Sequence, residues 1–239
     1  MDLKELIYKR KSTRSYKNEA VDAVTLNKIS DFASKMKALY PDIRVKWEFA
    51  DRDGIRCMLP WTTPQNIVIW SEDKDGAYEN VGFLFQQMDL YLQSLGLGAC
   101  WLGMGRPNGK ATGEDGLKFM IVLAFGIPKE DPHRKDISEF SRKPMADISD
   151  VEDERLEVAR LAPSSVNSQP WYFTHDGDRI HVYCAHGGIF RGKGLALMNK
   201  IDMGIALAHI YVANPETFEF FDAEADEIKD RYYIGSIKI

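Results

Sequence analysis

The sequence predicts an α+β sandwich, with helices packed on an antiparallel-leaning sheet, and three observations predict it. Helix-period and strand-period segments alternate along the 239 residues. Two strand-like runs, Ile67–Trp70 and Ile121–Phe125, are apolar throughout, which marks central strands covered on both faces. Asp176-Gly177 lies between two further strand-like runs and is a strong hairpin signal, so at least those neighbours are antiparallel.

In chain order, Leu3, Leu6 and Ile7 fall on a helical period and place a first helix over 2–10. A second helix is expected over 23–38 and a strand over 44–50, joined directly by Tyr40-Pro41-Asp42. A strand at 66–71, a helix at 77–95 and a strand at 118–125 follow. The polar stretch 128–150, with Pro132 and Pro144, reads as a connector between two halves. Beyond it, Leu156, Val158, Ala159 and Leu161 give an amphipathic helix over 152–161. Pro163 ends that helix by removing a donor and clashing with the preceding turn. Strands at 171–174 and 179–184, a helix at 194–212 and a strand at 217–221 complete the second half. Ile234, Ile237 and Ile239 suggest a last strand near the C-terminus.

Several function classes are disfavoured. A net charge of −5 argues against a nucleic-acid binder driven by phosphate attraction. No apolar run approaches the length of a membrane span, and the N-terminus lacks a signal-peptide core, so no membrane role is expected. Cys57, Cys100 and Cys184 are an odd set with no C-x-x-C pair, which fits reduced thiols in a cytoplasmic protein. His175, His181 and His186 match no metal-ligand spacing and read as surface histidines, so no metal is expected. Gly105–Lys110 is one residue short of a phosphate-binding loop, and Ala111 stands where such a loop needs a hydroxyl. Ser164 and Ser165 lack the Gly-x-Ser-x-Gly context of a hydrolase nucleophile.

What remains is a polar loop and two basic clusters. In Ala162-Pro163-Ser164-Ser165-Val166-Asn167-Ser168-Gln169-Pro170-Trp171, hydroxyls and amides supply donors and acceptors without formal charge. The loop suits the edge of a flat polar heterocycle; it also reads as an ordinary capped turn. Arg10, Lys11 and Arg14 alternate with Ser12, Thr13 and Ser15 at a helix end, a set that can hold a phosphate. Ser141-Arg142-Lys143-Pro144 is a second basic cluster. Taken together they outline a ligand with an anionic end and a flat, uncharged end.

These segments resemble the FMN-dependent nitroreductase family. The likeness rests on Arg10–Arg14, the Pro-Ser-Ser-x-Asn-x-Gln-Pro-Trp loop, Leu95-Gly96-Leu97-Gly98-Ala99-Cys100-Trp101-Leu102-Gly103, the run Phe119–Pro128, and Arg142-Lys143-Pro144. In that family the serine loop lies soon after the basic motif; here it follows everything else. The displacement is explained if the chain is a tandem of two degraded copies, residues 1–145 and 146–239. The first copy keeps the phosphate residues and the second keeps the loop. Gly82–Leu92 then corresponds to Gly204–Val212, and Phe119–Phe125 to Thr217–Phe221.

The resemblance implies a nitroreductase-like fold and one FMN per chain. It assigns Arg10, Lys11, Ser12 and Arg14 to the phosphate and ribityl chain, with Arg142 and Lys143 closing on the phosphate. Pro163, Ser164, Ser165 and Asn167 would line the isoalloxazine edge, and Trp101, Leu102 and Gly103 would lie near the flavin's reactive nitrogen. It further implies NAD(P)H as co-substrate and a nitroaromatic, quinone or similar small-molecule acceptor, with no catalytic side chain. FMN storage without turnover, and reductive dehalogenation, are its alternatives. An internal pseudo-dimer removes the need for a partner subunit, so a monomer is compatible with the sequence.

Overall fold

The computed structural model describes residues 2–59, 63–109, 116–186 and 192–239, and within them the chain forms two four-stranded antiparallel sheets with helices between and around them. The first helix, α1 (Leu3–Ile7), is shorter than expected; Asp2 caps it by accepting from the Lys4 N–H. Past it, Arg10, Ser12 and Tyr16 make single strand-like pairings with His133, Ala99 and Pro128.

The second helix, α2 (Ala23–Ala33), stops well before residue 38. The reason is tertiary. Buried amide side chains of the later helix α3 (Ala77–Ser94) take the backbone groups that follow α2. Gln87 accepts from the Lys37 N–H at 3.1 Å and donates to the Lys37 carbonyl at 2.8 Å. Asn80 accepts from the N–H groups of Leu39 and Tyr40 at 2.9 and 3.0 Å. With these partners supplied from outside, the backbone has no need of another helical turn.

The first sheet contains β1 (Val45–Asp51), β3 (Gln65–Ser71), β4 (Gly98–Leu102) and β6 (Lys118–Gly126), in the spatial order β1-β3-β6-β4. A two-stranded ladder of β2 (Ile55–Arg56) and β5 (Arg106–Pro107) lies beside it. The all-apolar runs are the two middle strands. Their side chains alternate between faces. Ile67 and Ile69 join Phe83, Phe85 and Leu123 in the main core, while Val68 and Trp70 join Leu102, Leu117 and Val122 in a smaller one. Burying each such aliphatic side chain is worth roughly 1.5–3 kcal/mol. Gly98–Leu102, which follows the helix expected over 77–95 and lies outside every expected strand, is an edge strand. Lys110 and Ala111 lie outside the described residues.

The second sheet holds β7 (Trp171–Asp176), β8 (Arg179–Ala185), β9 (Glu219–Phe221) and β10 (Arg231–Lys238), in the order β7-β8-β10-β9. The hairpin at Asp176-Gly177 forms, pairing Asp176 with Arg179. The helix ahead of it opens as a 3-10 turn, Glu154–Leu156, and continues as α4 (Glu157–Arg160). The sheets share a plan: two paired strands, a long helix, an edge strand, then a strand inserted between the second and the edge strand. This corrects one correspondence. Phe119–Phe125 lies on central β6, whose positional counterpart is central β10, whereas Thr217–Phe221 contributes the short edge strand β9.

The long helices, α3 and α5 (Gly192–Ala213), cross at a pair of glycines. A Cβ on Gly82 would stand 2.1 Å from the Ile201 carbonyl oxygen, and one on Gly204 would stand 1.9 Å from that of Glu79. Only glycine admits backbones this close. Contrary to the sequence reading, Gly194–Ala213 is long and apolar enough to cross a membrane by length and composition; 61% of its most apolar window is buried inside the fold.

Two histidines also differ from expectation. His181 is buried and meets the Ser236 hydroxyl at 2.7 Å through Nδ1. His175 is wedged between Asp150 and Asp153, at 2.7 and 3.1 Å. Burial works against the Asp153 charge, but hydrogen bonds from Arg155 and His175 outweigh it and hold that carboxyl down at about 2.

Candidate functional site

A cavity of about 330 Å³ opens between β4, α5 and the serine loop, within the 300–1,000 Å³ typical of small-ligand sites. The first half supplies Ser12 and Arg14, together with Cys100, Trp101, Gly103 and Met104 at and beyond β4. The second half supplies Pro163, Ser164, Ser165 and Val166, and α5 contributes Met198, Ile201, Asp202 and Ile205. Seven residues singled out by the sequence therefore meet here: Ser12, Arg14, Trp101, Gly103, Pro163, Ser164 and Ser165. The segment carrying Ser12 and Arg14 is held against β4 by the Thr13 N–H, which donates to the Ala99 carbonyl at 2.9 Å.

The serine loop is under backbone strain. Val166, Asn167 and Gln169 have φ of 47°, 56° and 47°, values that L-residues other than glycine rarely adopt. Each such residue costs on the order of 1–2 kcal/mol, so the surroundings must hold it. They do so through several contacts. The Gln169 N–H donates to Ser164 Oγ at 2.9 Å, and Lys143 Nζ donates to the carbonyls of Ser168 and Gln169 at 3.0 and 2.9 Å. Arg142 donates to Asn167 Oδ1 at 3.0 Å and to the Leu161 carbonyl at 3.1 Å. Asp202, 3% exposed, accepts the Ser165 N–H through both oxygens.

Six predicted site residues are therefore placed differently. Arg142, Lys143 and Asn167 brace the loop from behind and do not line the cavity. Leu102 faces the small core and a separate cavity that includes Cys57 and Thr63. Lys11 is half-buried beside the cavity-lining residues without being one of them. Arg10 is 1% exposed, and its Nε pairs with buried Asp89 at 2.9 Å. It reaches the site only indirectly, through Nη2 to Ser12 Oγ at 3.4 Å.

Arg10 nevertheless belongs to a cationic group that includes a residue the sequence reading passed over. Arg134 donates to the Arg10 carbonyl and lies over the Phe140 ring at 4.0 Å; Arg142 lies over the same ring at 5.4 Å. Burial, then the charge of Arg10, lowers Arg134 to about 10. Burial, then Arg10, Arg134 and Arg160, lowers Arg142 to about 10. Guanidinium groups that repel one another in partial burial favour an added anion. Arg134 carried a readable signal as a further cation in the connector.

Behind the cavity wall lies a buried polar chain. The Trp101 indole donates to Gln86 Oε1 at 3.1 Å. Gln86 Nε2 donates to Asp89 at 2.9 Å and meets His209 Nε2 at 3.1 Å. His209 Nδ1 meets the Val158 carbonyl at 2.9 Å, the arrangement of a neutral ring protonated at Nδ1. Burial holds that imidazole down at about 3. Gln86, Asp89, His209 and Asp202 are polar residues inside apolar helical stretches, the one sign of them that the sequence offered.

A family model described as "Putative TM nitroreductase" matches residues 2–214. Among solved structures, a nitroreductase-type protein from Thermotoga maritima is 18% identical and matches over 99% of this chain and 92% of its own, with a TM-score of 0.63, which shows a shared fold. A nitroreductase family protein from Clostridium difficile overlaps more loosely: 20% identity, 64% of this chain, 99% of the other, TM-score 0.49. So does one from Desulfovibrio desulfuricans solved in complex with FMN: 19% identity, 64% of this chain, 97% of the other, TM-score 0.47. No curated protein matches the chain.

Proposed function

The chain belongs to the nitroreductase family, a family of oxidoreductases, and from that premise we propose that it is an FMN-dependent enzyme moving electrons from NADH or NADPH to a small acceptor such as a nitroaromatic or a quinone. The observation that carries this reading is the cavity assembled from Ser12, Arg14, Trp101 and Gly103 on one side and Pro163, Ser164 and Ser165 on the other. Its chemistry fits the cofactor. Ile121, Ile205 and Met198 offer apolar walls for a flat ring, the serines offer uncharged polar groups for its edge, and Arg14 offers a cation for an anionic tail.

When bound, FMN supplies the two-electron chemistry itself. The residues of the chain hold, orient and shield. Ser12 and Arg14 take the phosphate and ribityl end, with the positive field of Arg10, Arg134 and Arg142 behind them. Ser164 and Ser165 meet the polar edge of the ring system. Trp101, fixed by Gln86, walls the cavity, and Ile121 and Ile205 exclude water from it.

We read the two sheets as copies of one duplicated unit, residues 1–145 and 146–239, that have divided the parts of a single site. The equal strand orders and the mutual Gly82–Gly204 crossing support that reading, and with it one flavin per chain and no need of a partner subunit. Cys57, Cys100 and Cys184 are free thiols, as in a soluble cytoplasmic enzyme.

The test is the visible spectrum of the purified protein, with FMN titration if it is colourless. The expected result is one flavin per chain, bleached by NADH or NADPH under nitrogen. Binding without bleaching would leave a storage protein, two flavins per chain would overturn the divided site, and no binding would overturn the cofactor assignment.

A further inference from the structure

Asp202 has an environment that a carboxylate rarely tolerates. It stands midway along apolar α5, 3% exposed, and lines the cavity. Its partners are neutral: the Ser165 N–H at 3.0 Å to Oδ1 and 3.1 Å to Oδ2, and the Ser168 hydroxyl at 3.4 Å to Oδ2. A buried carboxylate with only neutral donors is costly, and retaining the proton relieves that cost.

The groups packed around it supply no counter-charge. On α5 itself, Asn199 accepts from Ser168, and Lys200 turns away to Glu79 on α3, 3.9 Å distant. From β8 comes Cys184, whose thiol is pushed up to about 12, chiefly by burial, and which touches Tyr232 on β10. Elsewhere in the cavity lining are Arg14 and Cys100, the latter's thiol also raised by burial. Among the described residues no ion pair to Asp202 is formed; burial dominates its environment and raises the carboxyl to about 8.

We propose that Asp202 meets the ligand as a neutral carboxylic acid, with one oxygen fixing the serine loop through the Ser165 N–H and the other donating its O–H to a carbonyl or ring nitrogen on the ligand's polar edge. The proposal rests on the FMN reading above and adds to it a protein-held proton at the ring edge. Ionisation would convert that donor into a negative acceptor facing acceptors, so ligand affinity must fall as the pH rises past the carboxyl's range.

The test compares FMN titrations, followed by flavin fluorescence, of the full-length wild type and Asp202→Asn. The amide keeps both an acceptor for Ser165 and an N–H donor for the ligand, but cannot ionise. Between about pH 6.5 and about pH 9 the wild-type dissociation constant should rise about tenfold relative to the variant's. Ionisation of the FMN phosphate is common to both proteins and cancels in the ratio. Ligand-free melting provides a second readout. A folded state that keeps a proton the unfolded chain has lost becomes less stable as pH rises, so the wild-type melting temperature should fall relative to Asp202→Asn as the pH rises toward about 8 and level off above it. If the variant does not fold, infrared difference spectra of the wild type read the group directly through loss of a protonated-carboxyl stretch on raising the pH.

Parallel binding and melting profiles, or absence of that stretch, would overturn the inference while leaving FMN binding intact. A wild type that binds no FMN even at about pH 6.5 would overturn the cofactor assignment and this inference with it.

Discussion

The two sheets have the same strand order and the same antiparallel pairing, yet only one of their corresponding connections carries the serine loop. Ahead of β1, the chain leaves α2 and reaches the strand through residues 34–44, held by the side chains of Gln87 and Asn80. Ahead of β7, it leaves α4 and makes a strained loop with three non-glycine residues at positive φ, clamped by Arg142, Lys143 and Asp202. One connection satisfies its backbone from a buried helix; the other tolerates strain and walls a cavity. The serine side of the cavity therefore lies in a connection, while β4 and α5 of the framework supply its other walls.

The sharpest way to break the comparison is to remove what joins the basic strip to the shared helix layer. Arg10→Leu should cost about 3–5 kcal/mol, because Asp89, at 0% exposure, loses its counter-charge and keeps only neutral amide donors. Urea unfolding measures the loss, and adding Asp89→Leu should restore much of it. Next is the crossing of the helices. Gly204→Ala places a methyl where 1.9 Å separates it from the Glu79 carbonyl, and should cost about 3 kcal/mol through forced separation of α3 and α5. An unchanged urea midpoint would show that the helices slide past one another freely.

A subtler probe is pH. The unfolded chain takes up a proton on His209 that the folded ring, held at about 3 by burial, refuses. Stability should therefore fall as pH drops from about 6.5 toward 3, by up to about 1.4 kcal/mol per unit from this residue. His209→Gln should flatten that limb in unfolding curves collected across the range. The smallest effect sharpens the contrast between the connections. Val166 is 80% exposed at φ 47°, so Val166→Gly should raise stability by about 1 kcal/mol by releasing strain while leaving the core packing as it is. A stability decrease on calorimetry would mean the strain assignment is wrong.

Most of the framework was legible because it rests on local pattern. Ile67–Trp70 and Ile121–Phe125 are central, the Asp176-Gly177 hairpin forms, and both long helices lie where periodicity puts them. Features set by distant partners were not legible. The early end of α2 depends on Asn80 and Gln87, remote in sequence, and β4 is a strand because β6 pairs with it. In the site, the structure brings Ser12 and Arg14 to one cavity with Pro163, Ser164 and Ser165, but residue type could not separate touching from bracing. Arg14 lines the cavity, whereas Arg10, from the same motif, is consumed by Asp89. Asp202 escaped notice because an acid in an apolar helix announces itself only once its burial is known.

The crossing of α3 and α5 has a consequence for how such a molecule can change. Where two identical subunits meet, one codon writes both sides of the contact, and every substitution is made twice. Here Gly82 and Gly204 are separate residues, each pressed against the other helix's backbone. A replacement at either alters one side alone, so the tilt of one half can drift by single steps while the other half stays as it was.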